Sequence, residues 1–369
     1  NQGNLINIEE LNPSNGILGY NLENKSLSQE EITYWQPPHE KECYRITTNT
    51  GRTLECSDDH PILFRSRNEK EGHRNNRARK LYFKETKDLK VGEQIATIEE
   101  VNIFGSTEMY HPRLIGLLIG DGSYGFDKTP VLSNCDEEIN EYVYTNFECV
   151  EEKSYITKTN KVYKETRIKN ITKELRNLGI YGQTKDKKTL PLHIHSYKKE
   201  DICELLGGIF DADSYVGVKS IELSSAYKNL MLEVQLLLQK LGVHSNIKYK
   251  KPSFNKEDSI KGINGHYCLS IADKKSLDIF YKNIKYLPKY KQEALDTLIK
   301  KLKNRVSKTP KEVSGLRFER VVSLEYIGLK PVYNLTAGTT HTYIAKGIVT
   351  HNTGGEASLS GDAMSALAN

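Results

Sequence analysis

Residues 347–362 read Gly-Ile-Val-Thr-His-Asn-Thr-Gly-Gly-Glu-Ala-Ser-Leu-Ser-Gly-Asp. A His-Asn pair, His351-Asn352, stands directly before the hydroxyl residue Thr353, and a second hydroxyl residue, Ser358, precedes a Gly-Asp turn. An asparagine carboxamide can attack its own main-chain carbonyl, and a positioned hydroxyl can attack a neighbouring acyl group. The segment therefore contains groups that can break and rejoin a peptide backbone at two nearby points.

Size and composition restrict the class of protein. The 369 residues are enough for two or three domains. No apolar run approaches the about 20 residues of a membrane span, and residues 1–20 lack a signal-peptide pattern. Six cysteines without a CxxC pair favour free thiols over a disulfide scaffold or a zinc site. We therefore expect a cytoplasmic protein with no membrane partner.

The formal charge of +5 is too small to predict a nucleic-acid partner by itself. Lysines do gather in local runs, such as residues 248–251 and 300–303. Because such runs are usual on solvated faces, the motifs of the chain must decide the partner.

The pattern of apolar residues divides the chain into three parts. Residues 1–105 alternate short apolar and polar stretches, with Asn49-Thr50-Gly51 as a hairpin turn between two of them. Residues 106–309 show helical periodicity instead, and strand signals return in residues 310–369. The sequence therefore predicts an all-β fold that is interrupted by an α+β insert.

The insert contains an internal repeat. Leu114–Gly122 reads LIGLLIGDG, and Leu206–Ser214 reads LGGIFDADS, so that Asp121 and Asp213 lie 213 − 121 = 92 residues apart. Small residues one helical turn apart let two helix backbones approach closely, and each copy is followed by a strand ending in Leu-Ser. Two halves with the same order of elements predict a pseudo-twofold domain with two paired helices.

Two aspartates at adjacent helix C-termini are electrostatically unfavourable, because the helix dipoles and the like charges both oppose ionisation. A divalent cation between Asp121 and Asp213 would remove this cost, and near a phosphodiester it could activate water. The sequence thus predicts a metal site with Mg²⁺ as the expected ion. The alternative is two ordinary buried helices that each end in an Asp, which the repeated downstream pattern disfavours.

The two copies resemble the motif helices of the LAGLIDADG homing endonucleases, over roughly residues 110–305. The resemblance implies that Asp121 and Asp213 bind the metal and that the partner is double-stranded DNA, which the insert would cut on both strands. Lys187–Pro191, which reads KKTLP, resembles the lysine-containing block of that family. Lys188 is therefore a candidate catalytic cation.

The motifs depart from the family pattern at two positions. Ile119 stands where the family often has Asp, and the second copy ends in Ser214 instead of Gly. An insert that binds DNA without cutting it therefore stays an alternative. A free-standing homing endonuclease or RNA maturase is another, although it would give His351-Asn352-Thr353 no role.

Leu54–Leu63, which reads LECSDDHPIL, resembles the intein block whose TxxH motif activates the upstream splice junction. Ser57 stands in the threonine position, and the resemblance makes His60 the proton donor to the scissile amide nitrogen. A single His before a Pro is otherwise commonly just a turn residue.

Three further segments, Val332–Leu335, His341–Tyr343 and residues 347–353, resemble the two C-terminal intein blocks. The resemblance implies that Asn352 cyclises to a succinimide and breaks the chain, and that Thr353 is the hydroxyl nucleophile of a transesterification. No cofactor is expected for splicing, and the partners are the flanking exteins.

Cyclisation needs a proton donor and a polarised carbonyl, and His341 and His351 are the candidates to supply them. The family often has Asp where Asn334 stands, and an asparagine cannot act as a general base at neutral pH. We therefore expect the coordination of steps to depend on hydrogen bonding or on another residue, with slow or partial splicing.

Inteins open with Cys or Ser followed by a Gly-Asp turn, whereas residue 1 is Asn. Residues 358–369, which read SLSGDAMSALAN, have the form of that opening. We expect a displaced N-terminal intein segment, as in a circularly permuted or fused atypically split intein, with an acyl shift onto Ser358. The alternative is a flexible extein remnant or an added tail.

Together the resemblances imply an intein with an all-β, horseshoe-like splicing (Hint) domain, residues 1–105 and 310–369. It would hold an α+β pseudo-twofold LAGLIDADG endonuclease domain, residues 106–309. The expected reactions are an N–O acyl shift, a transesterification and Asn cyclisation, by a monomer. A Hedgehog-like autoprocessing domain shares the β fold but gives Asn352 no role.

Overall fold

The computed structural model describes residues 4–66, 80–156, 162–183, 187–252, 265–303, 315–352, 359–360 and 365–368. The chain divides into two compact units. The first contains residues 1–105, 239–242 and 308–369, and the second contains residues 106–238 and 243–307. In the described ranges, no helix combines the length and apolar character that crossing a membrane requires.

Strands are the main element of the described residues. They are β1 (Asn4–Asn7), β2 (Ile17–Asn21), β3 (Ser26–Glu30), β4 (Ile32–Thr48), β5 (Thr53–Ser57), β6 (Pro61–Arg65), β7 (Leu81–Glu85), β8 (Gln94–Ile98), β9 (Gly122–Ser123), β10 (Val131–Asn134), β11 (Cys149–Ile156), β12 (Val162–Ile168), β13 (Ser214–Val216), β14 (Ile221–Ser225), β15 (Asn246–Lys250), β16 (His266–Ile271), β17 (Leu316–Ala337), β18 (Thr342–Ala345), β19 (Ile348–His351), β20 (Leu359–Ser360) and β21 (Ser365–Ala368). The helices are α1 (Pro112–Asp121), α2 (Glu137–Asn146), α3 (Thr172–Asn177), α4 (Lys199–Asp213), α5 (Lys228–Lys240), α6 (Lys274–Asn283) and α7 (Lys289–Lys303).

The first unit is β-rich, as the sequence predicts. Its described strands form one antiparallel sheet in the order β20-β5-β4-β17-β8-β6-β19-β18-β21-β2-β3, with β1 on β21 and β7 on β6. Strand β20 also pairs with β17. The hairpin predicted around Asn49-Thr50-Gly51 is confirmed, since Thr47 of β4 lies opposite Thr53 of β5.

The longest pairing of the first unit joins β4 to β17. Four register shifts interrupt this ladder, and the last lies between Thr336 and Ala337. Each bulge frees a main-chain group from the ladder and increases the twist of the ribbon. A buried apolar cluster lies along these strands; five of its members, each at most 2% exposed, are Ile46, Leu54, Ile62, Leu335 and Tyr343.

The second unit repeats one arrangement of elements. Helix α1 leads into the sheet β11-β12-β10-β9, and α4 leads into the sheet β13-β14-β16-β15. In each half a helix is followed by two strands, a second helix and two more strands. The internal repeat seen in the sequence is therefore a repeat of structure.

Helices α1 and α4 pack against each other through small residues. A Cβ atom on Gly116 would overlap the Leu205 carbonyl oxygen, and one on Gly208 would overlap the Arg113 carbonyl oxygen. A Cβ atom on Gly120 would overlap the side chain of Ala212. The predicted close pairing of the two motif helices is confirmed, and only glycine fits at its centre.

Candidate functional sites

The carboxamide of Asn352 is held by main-chain groups at the end of β17. Its Oδ1 accepts a hydrogen bond from the Ala337 amide at 2.8 Å, and its Nδ2 donates to the Ala337 carbonyl at 2.7 Å. The Asn352 amide donates to the His341 carbonyl at 2.7 Å. Asn352 is 5% exposed, so its side chain is both buried and fixed in direction.

Two imidazoles flank Asn352. His341 Nδ1 lies 3.2 Å from Asn352 Nδ2, and His351 Nδ1 lies 2.6 Å from the Asn352 carbonyl oxygen. The His341 backbone is in the left-handed region with φ of 56°, and the Phe83 ring packs 4.5 Å from the His351 ring between centroids. One imidazole therefore faces the nucleophilic nitrogen of Asn352, and the other faces its carbonyl.

Asn334 lies on β17 but contacts a different group. Its Nδ2 donates to Gln36 Oε1 at 3.1 Å, and the residue is 3% exposed. Three residues further along β17, Ala337 is the residue that contacts Asn352. The sequence indicated Asn334 and missed Ala337, because a main-chain contact leaves no mark on residue type.

His60 is fully buried between β5 and β6. In the described residues neither ring nitrogen has a hydrogen-bond partner, and burial lowers the pKa of His60 to about 3. Its ring centroid lies 6.0 Å from that of Tyr343. Thr350, two residues before Asn352, lies opposite Ile62 of β6, so His60 and Asn352 lie directly beside the ends of two paired strands.

Ser57 and Asp59 form a polar cluster beside His60. Ser57 Oγ donates to Asp59 Oδ1 at 2.7 Å, and Lys41 Nζ forms a salt bridge with Asp59 Oδ2 at 2.7 Å. Burial acts to raise the pKa of Asp59, but the bonds from Lys41 and Ser57 outweigh it and lower the pKa. The cluster therefore places a charged carboxylate, that of Asp59, in the turn directly before His60.

Thr353 and Ser358 lie outside the described residues. The strand that follows Ser358 is described by its backbone: Leu359 of β20 lies opposite Cys56 of β5 and opposite Tyr333 of β17. Further along, β21 pairs with β1 over four residues, with Asn4 opposite Ala368. The tail thus adds strands to the sheet of the first unit.

In the second unit, Asp121 and Asp213 end the paired helices. A Cβ atom on Gly120 would lie 3.3 Å from Asp213 Oδ2. Burial raises the pKa of both carboxyl groups, and the Asp121 charge adds to the rise at Asp213. Asp213 is nevertheless exposed by its accessible surface. Water therefore reaches this residue.

Two buried lysines cap the same helices. Lys188 Nζ donates to the carbonyls of Ile119 and Gly120 at 2.8 and 2.9 Å, at the end of α1. Lys291 Nζ donates to the carbonyls of Phe210 and Asp211 near the end of α4. Both cations lower the pKa of Asp213, in part offsetting its burial. The sequence predicted the first lysine and missed the second.

A pattern in the sequence indicates Lys285, and not Lys291, as the second lysine of the site. Leu287-Pro288 echoes Leu190-Pro191, and by that echo Lys285 would be the counterpart of Lys188. Lys285 Nζ instead donates to the Tyr281 carbonyl. Lys291 reaches the site because it lies one turn into α7, which begins at Lys289.

Asn134 is a further polar residue of this site. Its Nδ2 donates to Asp121 Oδ2 at 2.5 Å from the end of β10. In the described residues, no side chain donates a corresponding hydrogen bond to the Asp213 carboxylate. Ser225, at the corresponding strand end, accepts from the Tyr227 amide. In the described residues, the two aspartates therefore differ in whether a side-chain hydrogen bond holds the carboxylate.

The departures at Ile119 and Ser214 are compatible with the packing. At the position of Ile119 in the second repeat, Asp211 forms a buried ion pair with Arg113 at 2.5 Å. Ser214 Oγ donates to the Phe210 carbonyl at 2.5 Å and lies 2.9 Å from the Tyr286 hydroxyl. Neither difference removes a carboxylate from the aspartate pair.

Comparisons with known proteins give one family and several similar proteins. The family profile described as an intein splicing domain matches residues 1–352. The ATP-dependent DNA helicase Hel308 of Methanocaldococcus jannaschii is 30% identical over 259 residues, which are 65% of this chain and 21% of that protein. The replication factor C small subunit of the same organism is 25% identical over 322 residues, 79% of this chain and 16% of that protein.

This chain thus spans about a fifth of the length of these curated relatives. Among solved structures, mesophilic variants of the homing endonuclease I-DmoI match with a TM-score of 0.33 and 14% identity. That match covers 48% of this chain and 96% of the other.

Proposed function

The chain belongs to the intein splicing domain family, and we propose that it performs protein splicing by an N–O acyl shift, a transesterification and cyclisation of Asn352. The observation that carries this proposal is the position of Asn352 between His341 and His351, each within reach of one reacting group. The substrates are the flanking exteins, and the splicing steps use groups of this chain with no cofactor.

Cleavage after Asn352 follows from these contacts. His351 Nδ1, carrying a proton, donates to the Asn352 carbonyl oxygen and draws electron density from its carbon. His341 Nδ1, without a proton, accepts from Asn352 Nδ2 and makes that nitrogen more nucleophilic. These protonation states are assigned from the two reactions, since the hydrogen bonds alone fit either tautomer.

At the upstream junction we propose Ser358 as the nucleophile, Thr353 as the acceptor and His60 as the proton donor to the scissile nitrogen. Support comes from the register of Leu359, the residue after Ser358, with Cys56 in the strand that leads to His60. Further support is the His60 imidazole, which has no hydrogen-bond partner among the described residues. A buried polar group without a partner is costly unless it serves a reaction.

Mass spectrometry of the purified chain tests the splicing proposal. We expect scission after Asn352, with loss of the segment from Thr353 to Ala357 when both junctions react. Asn352→Ala should stop scission at that bond, while hydroxylamine still cleaves the ester formed at Ser358. A parent chain that stays intact with and without hydroxylamine would contradict the proposal.

We also propose that residues 106–309 form a LAGLIDADG homing endonuclease that makes double-strand breaks in DNA. The proposal rests on the glycine-packed helix pair, whose C-termini bring Asp121 and Asp213 together between Lys188 and Lys291. Ordinary buried helices do not require two like charges at one point.

The two carboxylates fit Mg²⁺ as a shared ligand site. In the described residues no group of three or more His, Cys, Asp or Glu side chains could hold a metal ion. Magnesium usually takes only one or two carboxylates and completes its shell with waters and substrate phosphates. Asp121 and Asp213 would hold the ion, which would supply polarisation of the phosphodiester and of a water.

The side chains of this site have separate tasks. Asn134 orients the Asp121 carboxylate through its hydrogen bond. Lys188 and Lys291 fix the two helix ends and place positive charge beside the aspartates, where negative charge develops on a cleaved phosphate.

The open faces of the two sheets are the proposed DNA surface. On β11, Lys153 and Tyr155 are exposed, and the Tyr155 ring stacks 5.7 Å from the Tyr163 ring. On β15, residues 248–250 are exposed and read Lys-Tyr-Lys. Exposed lysines on strands suit phosphate contacts, and the aromatic and polar groups beside them suit groove edges.

A randomised duplex library tests the nuclease proposal without a known target. The intact chain is incubated with the library and Mg²⁺, and cut ends are captured by adapter ligation and sequenced. We expect one long asymmetric site, no product with EDTA, and none from Asp121→Asn or Asp213→Asn. Binding of one site without cutting would favour a DNA-binding insert that has lost its activity.

For the architecture, we propose a horseshoe-like splicing domain of residues 1–105 and 310–369 around the insert. The two compact units, which divide near residues 105 and 308, support these boundaries. We further propose that the chain works as a monomer, and the cysteine pattern supports a cytoplasmic location.

A further inference from the structure

The main chain of Ala337 contacts both polar atoms of the carboxamide that attacks. The Ala337 amide donates to Asn352 Oδ1 at 2.8 Å, and the Ala337 carbonyl accepts from Asn352 Nδ2 at 2.7 Å. Ala337 is fully buried, and the register shift between Thr336 and Ala337 lies at this position. The extra residue of this shift is Thr33 on β4, and the N–H and carbonyl of Ala337 are both directed at Asn352.

A carboxamide nitrogen is a poor nucleophile because its lone pair is delocalised into the C=O bond. When a base removes a proton from the nitrogen, much of the resulting negative charge lies on the oxygen. A fixed amide donor at that oxygen stabilises the charge as it develops, as the donors of an oxyanion hole do. For Asn352 that oxygen is Oδ1, and the donor is the Ala337 amide.

We propose that the Ala337 main chain is a catalytic group that activates the Asn352 nucleophile. It works with His341, whose Nδ1 lies 3.2 Å from the same nitrogen and takes its proton. The hydrogen bond from Nδ2 to the Ala337 carbonyl fixes the second N–H, so that only one proton faces the imidazole. This inference rests on the proposed self-cleavage after Asn352 and adds a group to it.

The step is balanced without a co-reactant. A bond forms between Asn352 Nδ2 and the main-chain carbonyl carbon of Asn352, and the bond from that carbon to the Thr353 nitrogen breaks. One proton leaves Nδ2 for His341, and one proton reaches the departing Thr353 nitrogen, which becomes a free amine. The other product is the succinimide at residue 352.

The role also accounts for the absence of an acid at position 334. Asn334 bonds the Gln36 side chain and lacks the basicity to take a proton from Asn352. Activation by a main-chain amide does not need a residue of any particular type at position 334. The Ala337 amide therefore provides the activation that Asn334 cannot.

Two changes remove the donor while keeping a side chain of similar size. Ala337→Pro replaces the N–H by a ring carbon, and replacement of Ala337 by lactic acid turns the amide into an ester with nearly the same shape. As the matched control, the same ester replacement is made at Ala345, a buried alanine of β18. The rate of scission after Asn352 is followed by mass spectrometry, and folding is checked by circular dichroism.

We expect both donor-free variants to slow scission after Asn352 on the order of 100-fold, since loss of one oxyanion-hole donor has an effect of that size. The ester variant at Ala345 should stay near the parent rate. Hydroxylamine cleavage at Ser358 should be unchanged in every variant, which separates a catalytic role from general damage to the fold.

Two results would overturn the inference. A folded ester variant that cleaves after Asn352 at the parent rate would show that the donor is not catalytic, and would leave the proposed splicing function standing. A parent chain that never cleaves after Asn352 would remove both the inference and the function on which it rests.

Discussion

The site around Asn352 and the site around Asp121 and Asp213 handle charge in opposite ways. The first keeps Asn352 and His60 uncharged: Asn352 is buried against main-chain groups, and burial lowers the pKa of His60. The second gathers two carboxylates whose pKa values are raised by burial and, at Asp213, by mutual repulsion. By the proposed functions, the first site contains its own substrate, whereas the second takes a cation and phosphates from outside the chain.

The largest expected effect comes from removing one carboxylate. Asp213→Asn should lower the rate of DNA cleavage at least about 1000-fold, because a metal contributes several kcal/mol of transition-state stabilisation. The same change removes repulsion from Asp121, so the thermal unfolding temperature of the second unit should rise. Scission after Asn352 should be unaffected.

Three measurements check this prediction: cleavage of the selected duplex, Mn²⁺ binding by electron paramagnetic resonance, and differential scanning calorimetry. Asp278→Asn, on helix α6 of the same unit, is the control for loss of one charge. A variant that binds Mn²⁺ as well as the parent would contradict the assignment of Asp213 as a ligand.

The next effect concerns a buried ion pair of the second unit that involves no metal ion. Arg113 and Asp211 are 7% and 0% exposed at their side chains and are 2.5 Å apart. Arg113→Leu should destabilise the second unit by about 3 to 5 kcal/mol, because it leaves Asp211 buried and unpaired. Urea unfolding of the intact chain measures this change.

The repeat supplies the matched control. Positions 113 and 211 correspond, by the offset of 92 residues, to Leu205 and Ile119 in the other copy. The double variant Arg113→Leu with Asp211→Ile should therefore recover most of the stability lost in the single variant. If the double variant is no more stable than Arg113→Leu alone, the pair does not act as an isolated ionic contact.

The sequence was a good guide wherever residue type determines position. The repeat offset predicted the helix pair, since Gly116 and Gly208 fit only where two backbones meet. His341 and His351 lie on either side of Asn352, but their catalytic roles stay predictions. The roles of Asp121 and Asp213 stay predictions as well.

Residue type is no guide where position depends on main-chain geometry. Ala337 binds Asn352 through its main-chain N–H and carbonyl, so no side chain marks the contact. Lys291 reaches the aspartates through the start of α7, while the Leu-Pro echo pointed to Lys285. Both misses arise because tertiary geometry, and not local pattern, brings these groups to their sites.

A smaller effect tests whether His60 is uncharged in the folded chain. His60 has a folded-state pKa of about 3, below its ordinary value of 6.5. Between those pH values the unfolded chain binds the proton and the folded chain does not, so stability falls as pH is lowered through this window. The contribution is at most about 1.4 kcal/mol per pH unit for one proton.

His60→Gln, made in an Asn352→Ala background to prevent cleavage, should remove that one-proton slope. Urea unfolding from pH 7 to pH 4 measures it as the difference between the two proteins, which cancels the carboxylates they share. Equal slopes would mean that His60 is protonated in the folded chain, so that the imidazole is charged and not neutral.

The smallest expected effect compares the two helix ends of the second unit. Ser214 bonds the Phe210 carbonyl and the buried Tyr286 hydroxyl, whereas a Cβ atom on the equivalent Gly122 would overlap the Leu118 carbonyl. Ser214→Gly should cost about 1 kcal/mol by leaving Tyr286 unpaired, and the double change with Tyr286→Phe should recover part of it. DNA cleavage should persist in both, because neither group touches the aspartates. A loss of cleavage with unchanged stability would instead make Ser214 part of the reaction, and the two helix ends would then differ in chemistry as well as in packing.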